Sequence, residues 1–214
     1  MVFPRLYPII DFSLFVSQPD PVAAAGDFAN ELLAAGATII QLRSKVEPPE
    51  NGRFLSCARE LRRMTRDRAA LIINDRIDIC LAADADGVHL GQDDLSPLAA
   101  RKIFDQIKDD KKRIIGFSTH NPEQLREADA FPVDYIAIGP VFATSSKTNP
   151  DPVIGNEGVR LARGITTKPL VAIGGITRRN CAQVKDAGAD VIAVISDLFE
   201  SPGKAVADFL RVLG

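Results

Sequence analysis

Short apolar runs, nearly bare of charge, recur along the chain, and each stops abruptly at polar residues. Leu6–Asp11 leads the series; runs closing at Gln41-Leu42-Arg43, Asn74-Asp75, Gly91, Ser118-Thr119, Gly139-Pro140, Gly174-Gly175 and Ile195-Ser196 follow. Strands of a parallel sheet that is covered on both faces read this way, because neither face meets water until the strand ends. Between the runs lie segments of helical character: 20–35, rich in alanine with Gly36 placed as a C-cap; 53–68, arginine-rich on a solvated face; 96–109, opened by Ser96-Pro97; and 203–213.

An internal repeat turns this alternation into an architecture. The segments ELLAAGATIIQLR, ICLAADADGVHLG, LREADAFPVDYIAIG and QVKDAGADVIAVIS share a helix end, a small-residue turn and a buried strand. Aligned on Thr38, Asp86, Asp134 and Asp190, they are spaced by 48, 48 and 56 residues. One strand–helix unit needs roughly 30 residues or fewer, so each period holds two units and the chain eight. Eight parallel units spread over residues 1–214 predict an α/β fold of one kind, a single (β/α)8 TIM barrel in one domain. The surplus in the last period falls in 143–155, which predicts a long functional loop after the sixth strand.

Composition narrows the function. The 214 residues are 46% apolar and 25% charged with a formal net charge of −2, and no long basic run marks a nucleic-acid partner. Cys57, Cys80 and Cys181 are odd in number and lack CxxC spacing, as expected of reduced thiols in a cytoplasmic protein. Neither a signal peptide nor an apolar run of membrane-spanning length is evident. A homo-oligomer is compatible with all of this.

In a parallel barrel the strand ends line one rim, and the rim residues form a chemical list. Alternation sends Gln41, Arg43 and Lys45 to one side of the second strand, a cradle for a polyanion. Asp75 and Asp94 follow neighbouring strands and suit one shared hard cation, although Asp at such positions also caps helices. The fifth strand ends at Ser118, Thr119 and His120; the loop after the sixth offers Thr144, Ser145, Ser146 and Lys147. Gly174-Gly175 and Ile195-Ser196 occupy the place where this fold binds monophosphates through backbone N–H groups. Carboxylates beside cations at an anion site make sense with Mg2+ between them, so the residues alone predict a magnesium-assisted enzyme handling a diphosphate and a monophosphate.

QLRSK, IINDR, GVHLGQDD, GFSTH, GPVFATSSK, AIGGI and VIS resemble, in order and spacing, the thiamine-phosphate synthases. That resemblance implies a transferase joining 4-amino-2-methyl-5-hydroxymethylpyrimidine diphosphate to 4-methyl-5-(2-phosphoethyl)thiazole with loss of pyrophosphate. It implies Mg2+ on Asp75 and Asp94, and pyrimidine diphosphate on Gln41, Arg43, Lys45, Asn74, Ser118 and Lys147. Of these, Arg43, Lys45, Ser118 and Lys147 would be catalytic. Thr144, Ser146, Gly174, Gly175, Ile195 and Ser196 would hold the thiazole phosphate, with serine at 146 keeping a hydroxyl where the family more often has threonine. On the same resemblance the histidines are not needed as catalysts, and His89 is expected as a structural rim residue. Two other readings stand beside it: a thiazole tautomerase with His120 as acid–base group, and a non-catalytic barrel that binds thiamine phosphate.

Overall fold

The computed structural model describes residues 3–45, 51–109, 111–144 and 151–214. Ser146 and Lys147 therefore lie outside the described residues. Eight strands, β1 (Leu6–Asp11), β2 (Ile39–Arg43), β3 (Ala70–Asn74), β4 (Gly87–Leu90), β5 (Ile114–Thr119), β6 (Tyr135–Ile138), β7 (Leu170–Ala172) and β8 (Val191–Val194), pair in parallel and in chain order. Pairing of Leu6 with Ile192 closes β1 on β8, so the sheet has no edge. After the strands come α1 (Pro21–Ala34), α2 (Asn51–Thr65), α3 (Ile77–Ala82), α4 (Pro97–Gln106), α5 (Pro122–Ala130), α6 (Gly155–Ile165), α7 (Cys181–Asp186) and α8 (Pro202–Leu213). The fold is a (β/α)8 barrel, as the repeat predicts. Helix ends differ from the sequence expectation by a few residues: α2 starts at Asn51 and stops at Thr65, short of Arg68.

Strand alternation sorts the apolar side chains into two cores. Leu6, Ile10, Ile40, Leu42, Leu71, Ile73, Val88 and Leu90 face outwards into the helix layer. Tyr7, Ile9, Ile39, Ile72, Ile114, Tyr135, Ala137, Val171, Val191 and Ala193 fill the barrel interior. Among the described residues no helix is long and apolar enough to cross a membrane. All three cysteines are buried and outside any disulfide, and burial pushes the thiols of Cys57 and Cys80 up, which keeps them as small apolar fillers.

The repeated aspartates have a structural job at the opposite end from the rim. Asp86 Oδ2 accepts Leu71 N–H (2.8 Å) and a bond from Arg62 of α2 (3.0 Å). Asp134 Oδ2 accepts Ile115 N–H (2.9 Å) and one from Arg101 of α4 (2.8 Å). Asp190 Oδ2 accepts Leu170 N–H (2.8 Å) and one from Arg163 of α6 (2.6 Å). Each carboxylate thus ties the strand before it, and the helix that leads into that strand, to its own strand. Their backbone N–H groups return to the carbonyls of Leu71, Ile115 and Leu170. The first copy, with Thr38, lacks the carboxylate.

Removing such a clamp should be felt in stability. Asp86→Ala leaves Arg62, largely buried, without its main partner and Leu71 N–H without its acceptor; a loss of about 2 kcal/mol is expected from hydrogen bonds to a charged group. Urea unfolding of Asp86→Ala and Asp86→Asn checks it, the asparagine variant keeping the bond to Leu71 and losing less.

Candidate active site

A cavity of about 590 Å³ opens at the C-terminal ends of the strands. Gln41, Arg43, Lys45, Asn74, Asp75, Asp94, Ser118, Thr144, Gly174, Gly175, Ile195 and Ser196 all line it. Twelve residues singled out from the sequence therefore meet in one space, drawn together from seven strand ends. His120, Gln124 and Asp151 add to its wall.

The acidic pair is not a pair of helix caps. Helix α4 is capped by Ser96, whose Oγ accepts Ala99 N–H, and α3 starts after Arg76 with no side-chain cap. Asp94 instead folds back to accept Gly91 N–H (2.8 Å), while Asp75 N–H donates to His89 O (2.8 Å). Asp75 holds a left-handed backbone, φ +61°, a conformation that asparagine and aspartate tolerate better than most residues but still at a cost. Burial, and then the facing Asp94 carboxyl, push the Asp75 pKa up to about 7; Lys45 and Arg43 pull weakly the other way. Two carboxyls that face each other in this way could share a hard cation. Among the described residues no group of three or more His, Cys, Asp or Glu gathers to hold a metal, so any ion here would rest on this pair and on oxygen atoms from a ligand or water.

Basic groups face the acidic pair from β2. Arg43 Nε lies 2.9 Å from Oδ2 of the buried Asp11, although out of line for a well-formed hydrogen bond. Oδ1 of Asp11 accepts Ser13 N–H (3.2 Å) and the Ser13 hydroxyl. Lys45 N–H in turn reaches Ser13 Oγ (3.4 Å), so Asp11 and Ser13 tie the first strand end to this basic segment. The sequence reading missed Asp11, which closes the first apolar run where the other rim residues close theirs.

Across the mouth, Gly174 (φ +100°) and Gly175 (φ +62°) follow β7. Their carbonyls are fixed by Phe142 N–H (2.9 Å) and Asn180 Nδ2 (3.1 Å). A Cβ at Gly175 would lie 2.4 Å from Ala143 O, and one at Gly174 2.6 Å from Pro140 Cα. The glycines therefore seat the β6–α6 connection closely against this turn, where a side chain would collide with it. Arg178, bonded through N–H (2.8 Å) and Nε (3.0 Å) to Asp197 Oδ2, ties this turn to the short 3-10 helix Ser196–Leu198 after β8.

His89 is buried between Tyr135 and Ser118 while still lining the cavity, and burial pushes its pKa down to about 4 and keeps the ring neutral. His120, on the wall, donates from Nδ1 to Gly139 O (2.7 Å) and lies 3.4 Å from Asp151. Tyr7 and Tyr135, the only tyrosines of the chain, were also missed; both share the inward parity of their strands, which is the signal that marks them.

Comparison with known proteins places this geometry. The profile of the thiamine monophosphate synthases matches residues 13–198. The chain belongs to that family. A thiamine-phosphate synthase of Koribacter versatilis is 50% identical over 210 residues, covering 98% of this chain and 96% of its own. The thiamine-phosphate synthase of Vibrio campbellii is 37% identical across 96% of both chains. Among solved structures, thiamine phosphate pyrophosphorylase from Pyrococcus furiosus superposes with a TM-score of 0.81 at 32% identity, over 98% of this chain and 95% of that one. This member of the thiamine monophosphate synthases thus shares both the barrel and the sequence of its relatives along nearly the whole chain.

The raised Asp75 pKa carries a sign for stability. A carboxyl whose folded pKa lies above its unfolded one contributes stability at pH 4 that is lost as pH rises towards 7 and beyond. In the presence of a chelator, Asp75→Asn should therefore raise the melting temperature at pH 8 and change it little at pH 4, as read by thermal unfolding at the two pH values.

Proposed function

We propose that this enzyme condenses 4-amino-2-methyl-5-hydroxymethylpyrimidine diphosphate with 4-methyl-5-(2-phosphoethyl)thiazole to give thiamine phosphate and pyrophosphate. The observation that carries this reading is the facing of the Asp75–Asp94 pair by Arg43 and Lys45 in one cavity that also holds the Gly174-Gly175 turn. Membership of the thiamine monophosphate synthases supports it. A tautomerase built around His120 alone would have no use for the acidic pair and its basic counterpart, and a mere sensor no use for leaving-group stabilisation.

In this reading Gln41, Asn74 and Ser118 orient the pyrimidine and its diphosphate, and Thr144, Ser146, Gly174, Gly175, Ile195 and Ser196 hold the thiazole phosphate. Asp75 and Asp94 would hold Mg2+, which neutralises charge on a bound diphosphate. The C–O bond to the diphosphate breaks with its electron pair leaving on oxygen, helped by donation from the pyrimidine amino group. The resulting carbocation-like carbon accepts the lone pair of the thiazole nitrogen. No general base is required at the carbon; what the residues supply is positive charge, from Arg43, Lys45 and Lys147, where negative charge grows.

Release of pyrophosphate from both substrates with Mg2+ is the direct test, and its absence in the purified protein would remove the proposal. Lys147→Ala is expected to lower the single-turnover rate on the order of 10²–10³-fold, the usual loss for one electrostatic donor, with smaller effect on thiazole-phosphate binding. Asp94→Asn, which retains shape while removing charge, should shift the magnesium dependence of the steady-state rate to higher concentration. An unshifted titration curve at full activity would take the metal away from this pair.

A further inference from the structure

A line of hydrogen bonds crosses the barrel interior beneath the cavity. Gln41 Nε2 donates to Tyr7 Oη at 3.1 Å, and the two tyrosine hydroxyls lie 2.9 Å apart. Tyr135 Oη is 2.9 Å from His89 Nδ1, and His89 Nε2 is 2.8 Å from Ser118 Oγ. The two ends belong to β2 and β5, strands that do not pair with each other, so the line spans the site from one wall to another. Gly116 makes room for it: a Cβ there would lie 2.0 Å from Tyr135 Cζ. Gln41, Tyr7, His89 and Tyr135 are all buried.

Counting hydrogens gives the line a direction. An amide nitrogen only donates, so Tyr7 oxygen accepts from Gln41. Tyr7 must then pass its own hydrogen to Tyr135, the other partner it has among the described residues. Tyr135 passes its hydrogen to His89 Nδ1, which must be the bare nitrogen of a neutral ring. The imidazole proton is then on Nε2 and points at Ser118 Oγ, and the Ser118 hydrogen is left for the cavity. The other tautomer, with Gln41 as it stands, strands the hydrogen of one of the two tyrosines in a buried interior where such groups find partners. Only turning over the Gln41 amide would allow it, and that would reverse every bond at once.

We propose that Tyr7, Tyr135 and His89 are positioning residues that lock Gln41 and Ser118 into one unit, holding the Ser118 hydroxyl as a hydrogen-bond donor into the cavity. An anionic oxygen accepts from such a hydroxyl, whereas the reversed chain would present it a lone pair. The inference rests on the reading of Ser118 and Gln41 as contacts of the pyrimidine diphosphate. It extends that reading to three residues that do not themselves need to touch the substrate.

The chain contains two histidines, so protein labelled with 15N-histidine gives a simple two-bond 1H–15N spectrum, assigned with His120→Gln. His89 should show the Nε2–H tautomer without any substrate, and lose that single pattern in Tyr135→Phe. The Nδ1–H tautomer in the unaltered protein would overturn the proposal. Kinetically, Tyr135→Phe and Tyr7→Phe should each lower kcat on the order of tenfold with KM little changed, and cost less than about twofold once Ser118→Ala is present, as members of one network do. Losses that multiply fully would also overturn it. Because the tautomer is read without turnover, an enzyme inactive on the proposed substrates would refute the function and leave the network arm intact.

Discussion

Closure of β8 on β1 is the constraint from which the rest follows. With no free edge, eight parallel strands tilt together and deliver all their carboxyl ends to one mouth. Residues far apart in sequence, such as Arg43 and Ser196, become neighbours of one cavity because of that closure alone. The far end of the barrel is held by a repeated device, the aspartate that binds the preceding strand and an arginine of the helix leading into that strand, at Asp86, Asp134 and Asp190. Stability is thus concentrated at one end and chemistry at the other. Loops at the mouth can carry function without taking part in the clamps below.

The mouth is correspondingly under stress. Asp75 combines a left-handed backbone with a carboxyl that burial and Asp94 hold towards its neutral form. Both features oppose folding and neither is needed for the barrel, which is the pattern expected where a ligand supplies the missing partner. Asp11 does the opposite for Arg43: a buried carboxylate lies against its guanidinium and, through Ser13, close to Lys45. The site is therefore preorganised on its basic side and frustrated on its acidic side.

Beneath it, the upper barrel interior is polar but largely satisfied, with two tyrosines, a neutral histidine, a glutamine and a serine bonded in series. A low dielectric makes such a line stiff, because each bond fixes the direction of the next. Ile39, Ile72, Ile114 and Val171 belong to the same packed cluster as its two tyrosines.

The amino-acid sequence by itself determined the number and order of the strands, through apolar runs and a repeat, and it exposed the rim residues, because a buried parallel strand shows polarity only where it ends. Asp75, Asp94, Arg43 and the Gly174-Gly175 turn are legible for that reason. Motif resemblance added Asn74. What only the tertiary structure decided is how inward-facing residues pair across the barrel. Tyr7 and Tyr135 look like ordinary core aromatics along the chain, and His89 like a residue of the rim; their hydroxyl and ring contacts join positions 46 and 128 residues apart. Periodicity reports which face a side chain takes. Only closure of the sheet, and the space left by Gly116, determines which side chain it meets there.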